Sequence, residues 1–171
     1  MNTYHATPYD ITASGFYFQS LEEYASKAAA HRNDHGQPVE EYEIQFIDGN
    51  VDDCALFNAL SVSQATLEAW FDEFEGQYDG IELIKVLFLV SDQGLSMADI
   101  YPRRLDDVMV FEGTMRDYAE QYLEDSGIID AVEKAGLNRF YIDVDAYARD
   151  IELEGVAVVN IYANCSYVII C

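Results

Sequence analysis

Thr114-Met-Arg-Asp-Tyr-Ala-Glu-Gln-Tyr-Leu-Glu-Asp-Ser-Gly127 carries a complete helix signal, from first cap to last. Thr114 can cap the first turn through its hydroxyl, and Gly127 suits the left-handed residue that ends a helix. Between them Met115, Tyr118, Ala119, Tyr122 and Leu123 recur at helical spacing and make one apolar face. Asp117, Glu120, Glu124 and Asp125 make a second, acidic face. A short apolar run, Val108–Phe111, precedes this helix. Two more, Val156–Tyr162 and Tyr167–Cys171, close the chain around Ala163–Ser166 as a hairpin. From Gly155 to the end there is no charged residue, so this segment is expected to be buried or covered by a partner. A helix set among antiparallel strands predicts an α+β fold.

The same reading extends towards the N-terminus. Asp143 is placed to cap a short helix over Val144–Asp150. Leu67, Trp70, Phe71 and Phe74 fall at i, i+3, i+4 and i+7, the apolar stripe of another helix, and Glu68, Asp72 and Glu75 run beside it as an acidic one. Ile81–Val90 reads as a buried helix, and Pro102 with Arg103 and Arg104 marks a break. Further back, Tyr4–Tyr9 and Phe16–Phe18 read as a hairpin across the turn-rich Asp10–Gly15. Ser20-Leu-Glu-Glu23 fits a capping box that opens a helix running to Arg32. Asn33–Pro38 is a loop, and Glu41–Ile47 alternates as a third strand. By thirds the chain reads as an N-terminal antiparallel sheet plus helix at 1–50, a helical middle at 51–104, and a C-terminal α/β part ending in a hairpin at 105–171.

Charge sets the functional question. The chain carries 9 Lys and Arg against 32 Asp and Glu, a net charge of −23 over 171 residues. The acids are dispersed through segments rich in Tyr and Phe, so this is a folded acidic body and not a disordered tail. Such a body repels itself, and solubility alone needs a net charge of only about 2–8. Carboxylates three or four apart on a helix lie about 5–6 Å from each other, a spacing like that of neighbouring phosphates on a strand. At one charge per about 1.7 Å of duplex, this charge matches roughly 39 Å of DNA. The physical hypothesis is a surface that imitates the charge of DNA, with Glu68, Asp72, Glu75, Asp117, Glu120, Glu124 and Asp125 as its candidate residues. Taken singly, each stripe is better explained as a solvated helix face; it is the net charge of the whole surface that favours imitation of DNA.

Specific residues carry a resemblance. Tyr141-Ile-Asp-Val-Asp-Ala-Tyr-Ala-Arg-Asp-Ile-Glu-Leu-Glu154 closely resembles the C-terminal signature of the ArdA antirestriction family. Tyr118–Gly127, Glu40–Gln45 and Gly15–Phe18 are similar to further stretches of that family. Val144 replaces the usual aromatic of the signature, and Val132–Gly136 lacks the proline common in the family's antirestriction motif. The resemblance implies an elongated chain of three small lobes, carried by mobile genetic elements, that mimics bent B-form DNA. It also implies a homodimer, and a target in the DNA-binding groove of type I restriction–modification enzymes. The cysteines, which read as reduced thiols, predict a cytoplasmic protein. The residues independently predict a dimer through the C-terminal third, where Ile128, Ile129, Val132, Leu137 and Phe140 adjoin the uncharged segment. No nucleic-acid or membrane partner is expected, and the longest apolar run is too short to span a bilayer.

Catalytic alternatives find little support. His31 and His35 lack a third ligand at a motif spacing, and Asp143 with Asp145 is explained more simply by capping. Neither Glu82 with Lys85 nor the Arg149–Asp150 pair has the spacing or setting of a reactive site. Cys54, Cys165 and Cys171 show no CxxC spacing and read as reduced, buried packing residues. No P-loop, GxSxG, GxGxxG or HExxH is present. No enzyme and no cofactor are expected. Two other readings remain open: another acidic decoy, such as an anti-CRISPR protein or a sequesterer of a basic DNA-binding protein, and a metal-dependent hydrolase built on a carboxylate cluster.

Overall fold

Alternation in β1 (Thr3–Pro8) turns Tyr4 and Ala6 to one side, where both are fully buried. In the computed structural model, which describes residues 1–155 and 157–170, β1 is the central strand of an antiparallel sheet in the order β2-β1-β3. Its neighbours are β2 (Phe16–Phe18) and β3 (Tyr42–Asp48), and the register sets Tyr4 opposite both Phe18 and Phe46. Helix α1 (Leu21–Ala30) follows, then α2 (Val51–Ala59), α3 (Leu67–Ala69) continued by a π-helical turn over Trp70–Phe74, and α4 (Gly80–Ser91). α4 buries Leu83, Ile84, Val86, Phe88, Leu89 and Val90, so the helical reading of the 81–90 run holds.

The chain divides into two compact units, Met1–Ile100 and Tyr101–Cys171. The residues expected as separate first and middle lobes therefore belong to one unit. Long-range packing decides this: the Tyr4 ring stacks at 5.4 Å on Phe18 and also meets Phe57 and Phe71, which come from beyond residue 50. Trp70 packs edge-on against Phe57 at 5.2 Å.

The cap of α1 differs from a full capping box. The Ser20 hydroxyl accepts from Glu23 N, but the Glu23 carboxylate accepts from Gln19 N at 2.8 Å instead of from the Ser20 amide. Lys27, one turn on, pairs with the same carboxylate at 2.7 Å. The expected helix also stops at Ala30, because Arg32 is taken up in an isolated β-bridge with Pro38.

The second unit opens with α5 (Pro102–Asp106), whose first residue is the proline that a helix tolerates there. Strand β4 (Met109–Glu112) and helix α6 (Met115–Asp125) follow as expected. Then come α7 (Ile128–Lys134), a 3₁₀ turn at Arg139–Tyr141, α8 (Val144–Leu153), β5 (Ala157–Tyr162) and β6 (Cys165–Ile170). The sheet runs β4-β6-β5, all antiparallel. Met115 and Ala119 of α6, Ala148 and Ile151 of α8, and Ala157 and Val168 of the sheet form its core.

The closing hairpin is tighter than expected. Ala163 and Asn164 alone make the turn, both at positive φ (51° and 66°), the conformation of a two-residue turn that matches strand twist. β6 therefore starts at Cys165 instead of Tyr167. Cys165 sits beside this turn and is exposed, not buried as expected, while Cys54 is half-buried. Val156 and Cys171, expected within the hairpin, lie outside the described residues.

Candidate functional site

Short polar and acidic side chains cap the helices that carry the acidic surface. Asn50 caps α2 by accepting from Asp52 N and Asp53 N. Asp143 caps α8 by accepting from Ala146 N. In α6 the Thr114 hydroxyl accepts from Asp117 N, and the Asp117 carboxylate accepts from Thr114 N at 2.9 Å, closing a capping box. The Thr114 hydroxyl also donates to that carboxylate, and these bonds hold Asp117 below the usual carboxylate range. Asp117 is thus both a cap and a fixed surface charge. The Thr-x-x-Asp spacing in the sequence signalled this.

Along α6, Glu120 is half-buried and Glu124 and Asp125 are exposed. Arg139, on the 3₁₀ turn, reaches back to Glu124 at 2.9 Å and Glu120 at 3.3 Å. Arg116 similarly pairs with Asp145 at 2.6 Å. A hollow of about 450 Å³ opens among Arg116, Glu120, Arg139 and Asp145, with the signature residues Tyr141–Asp145 along its wall. The acidic face of α6 is therefore a mixed surface in which two carboxylates share one guanidinium.

In the first unit, Glu68 and Asp72 are exposed. Glu75 takes a different course. The π-helical turn ends at Phe74, where Glu75 N donates to Trp70 O, and Glu75 leaves the helix with φ −58° and ψ 117°. Its carboxylate then accepts from Asn2 Nδ2 and from the Tyr4 hydroxyl, both at 2.8 Å. It lies on the edge of a polar network inside the unit, off the solvent stripe.

That network is the feature sequence reasoning missed. Asp53, 5% exposed, accepts from Asn2 Nδ2 at 2.7 Å and from Gly76 N at 2.8 Å. Trp70 Nε1 donates to the Tyr4 hydroxyl at 2.9 Å, and Asn50 N donates to Asn2 Oδ1 at 2.8 Å. Burial and the Glu75 charge together push the Tyr4 phenol well above its ordinary range. Gly49, at φ 145°, passes so close to Asn2 that a Cβ there would collide with its side chain. The partners are separated by 23 to 73 positions, so no local spacing announces them.

Of 32 Asp and Glu residues, Asp53 is the only one buried among the described residues. The His31 Nδ1 lies 2.8 Å from the Tyr42 hydroxyl and its ring stacks on Tyr42. Among the described residues no three His, Cys, Asp or Glu side chains gather with metal-site geometry. None of the described helices is long and apolar enough to cross a membrane. Of the residues expected at a dimer contact, Phe140 (89% exposed), Leu137 (55%) and Ile128 (40%) are open to solvent, Val132 is half-buried, and Ile129 faces its own unit at 6%.

An α+β chain with almost all of its carboxylates at the surface presents a strongly acidic exterior. A model of ArdA, described as antirestriction protein, matches residues 4–163, and the chain belongs to that family. No curated protein and no solved structure matches.

Proposed function

We propose that this protein is a non-catalytic inhibitor that presents the charge of B-form DNA and occupies the DNA-binding groove of type I restriction–modification enzymes. The observation that carries the reading is the exposure of nearly every carboxylate on a chain of net charge −23. A basic channel releases counterions when such a surface enters it, as it does for phosphates. Glu68, Asp72, Asp117, Glu120, Glu124 and Asp125 are the residues we assign to that surface. Glu75 contributes through its position and not as a free charge.

A homodimer through the second unit accompanies this reading, with Ile128, Leu137 and Phe140 at the contact. Large apolar side chains this exposed suit an interaction site, and an apolar contact is what two highly acidic chains need to overcome their repulsion. Sedimentation in moderate salt is expected to show a dimer that Phe140→Ser and Leu137→Ser convert to monomer. A wild-type chain that is monomeric at micromolar concentration removes the claim.

The deciding experiment is restriction of unmodified phage or plasmid DNA in a host carrying a type I system, with and without the gene. Relief of restriction is expected, and no relief with soluble protein present overturns the proposal. In vitro, binding to the methyltransferase core is expected to compete with DNA and weaken steeply with salt. Because an exposed ion pair contributes only about 0–1 kcal/mol, neutralising Glu68, Asp72 or Glu124 singly is expected to change affinity by no more than about five-fold.

A further inference from the structure

The two edges of the C-terminal sheet differ in chemistry. Gly113 N donates to Ser166 O at 2.9 Å, which fixes the hydrogen-bonding phase of β4 against β6. Bonded and non-bonded pairs alternate along an antiparallel ladder. Phe111 and Met109 therefore point their backbone groups at β6, while Val110 and Glu112 point theirs outward from an edge that no strand covers. Beside that edge, between β4 and α6, lies a groove of about 520 Å³ lined by Met109, Phe111, Tyr118, Tyr122, Asp125 and Ile170. Met109 is 63% and Tyr122 46% exposed. Phe111 and Tyr118 meet edge-on at 5.5 Å, giving the groove an aromatic floor.

The rim of this edge is acidic. Asp106, Asp107, Glu112 and Asp125 are all exposed around it. The opposite edge, β5, lies in the segment without any charged residue, and there Val159 and Ile161 are exposed. A second copy of this chain suits the uncharged β5 edge. At β4 it would set acid against acid, whereas a basic strand is complementary.

We propose that the free edge of β4 is a docking site for an extended, basic segment of a protein partner, added as a fourth strand. Outward N–H and C=O groups of Val110 and Glu112 supply the ladder. One aliphatic side chain of the added strand enters the Tyr118–Tyr122 groove on the Phe111 face, and its lysine or arginine neighbours, which point to the opposite face, meet Glu112. This contact is separate from imitation of DNA: it reads the partner's backbone and a groove-sized side chain, which a polyanion surface cannot do.

The test is fluorescence anisotropy of two labelled eight-residue peptides of equal charge, titrated with the full chain at 0.15 M salt. One alternates lysine and valine, the other lysine and proline, which cannot complete a ladder. The lysine–valine peptide is expected to bind at least ten-fold tighter. Val110→Pro, at an outward-facing amide, is expected to abolish that difference, while Val159→Pro on the β5 edge leaves it intact. Should Val110→Pro not fold, Tyr122→Lys, which fills the groove with a like charge, carries the same expectation. Equal affinity of the two peptides, or a loss from Val159→Pro as large as that from Val110→Pro, overturns the proposal. The restriction assay is indifferent to these outcomes, so the two readings fail separately.

Discussion

Both units are built on a three-stranded antiparallel sheet, yet they treat polar groups in opposite ways. The first draws them inward: Asn2, Asp53, Tyr4, Trp70 and the edge residue Glu75 form one hydrogen-bonded network behind the sheet. Its buried carboxylate is satisfied by an amide and a backbone N–H, not by a cation. The second keeps its acids outside and tempers them with Arg116 and Arg139. It also leaves Phe140 and Tyr141 almost fully exposed. In the first unit polarity specifies how helices dock on a sheet. In the second, polar groups and the aromatic rings of Phe140 and Tyr141 stay at the surface.

This contrast can be broken by mutation. The largest effect is expected from Asp53→Ala, which removes the acceptor of one buried Asn2 amide hydrogen and of the Gly76 N–H and costs about 2 kcal/mol. The loss should be confined to the unfolding transition of the first unit, followed by the Trp70 fluorescence. A change of less than about 1 kcal/mol would show that the network is incidental.

Tyr24→Phe has the opposite sign. The Tyr24 hydroxyl is buried without a hydrogen-bond partner among the described residues, and burial pushes its pKa up to about 12. Removing it is expected to leave the first unit unchanged or more stable by up to about 1 kcal/mol, read by urea denaturation. Destabilisation there would mean that the hydroxyl has a partner.

In the second unit, Arg139→Gln removes an exposed guanidinium from two exposed or half-buried acids. Its thermal midpoint is expected to stay close to wild type, because exposed ion pairs contribute little. A marked drop would make Arg139 part of the scaffold and erase the contrast.

The smallest effect is a pH dependence in the first unit. Asp10 accepts from Asn33 Nδ2 and from Thr12, and these bonds lower its pKa to about 2. A depressed folded value gives stability that is present above the ordinary carboxylate range, near pH 4, and is lost as pH falls towards 2. Asp10→Asn is expected to trail wild type in thermal midpoint at pH 6, with the gap closing by pH 2. A gap independent of pH would assign the role to loop geometry alone.

Local spacing in the sequence determined the elements and most of their caps. Thr114, Asp143 and Gly127 sit where a helix end needs an acceptor or a left-handed residue, and alternation in 4–9 and 41–47 reveals strands, because these preferences act within a few residues. The charge and the Tyr141–Glu154 signature carried the family in the same way. Only the tertiary structure decided how those elements combine. Whether Glu68, Asp72 and Glu75 stay on one stripe depended on a π-helical turn forced by packing Trp70 and Phe74, and that turn sends Glu75 to Asn2 and Tyr4. Whether the first hundred residues form one unit or two depended on Tyr4 reaching Phe57 and Phe71. Arg139 finding Glu120 and Glu124, and Ile129 turning inward beside an exposed Ile128, are of the same kind. Such outcomes rest on contacts between residues far apart in the chain, whose burial and hydrogen-bond energies outweigh local preference and leave no mark in local spacing.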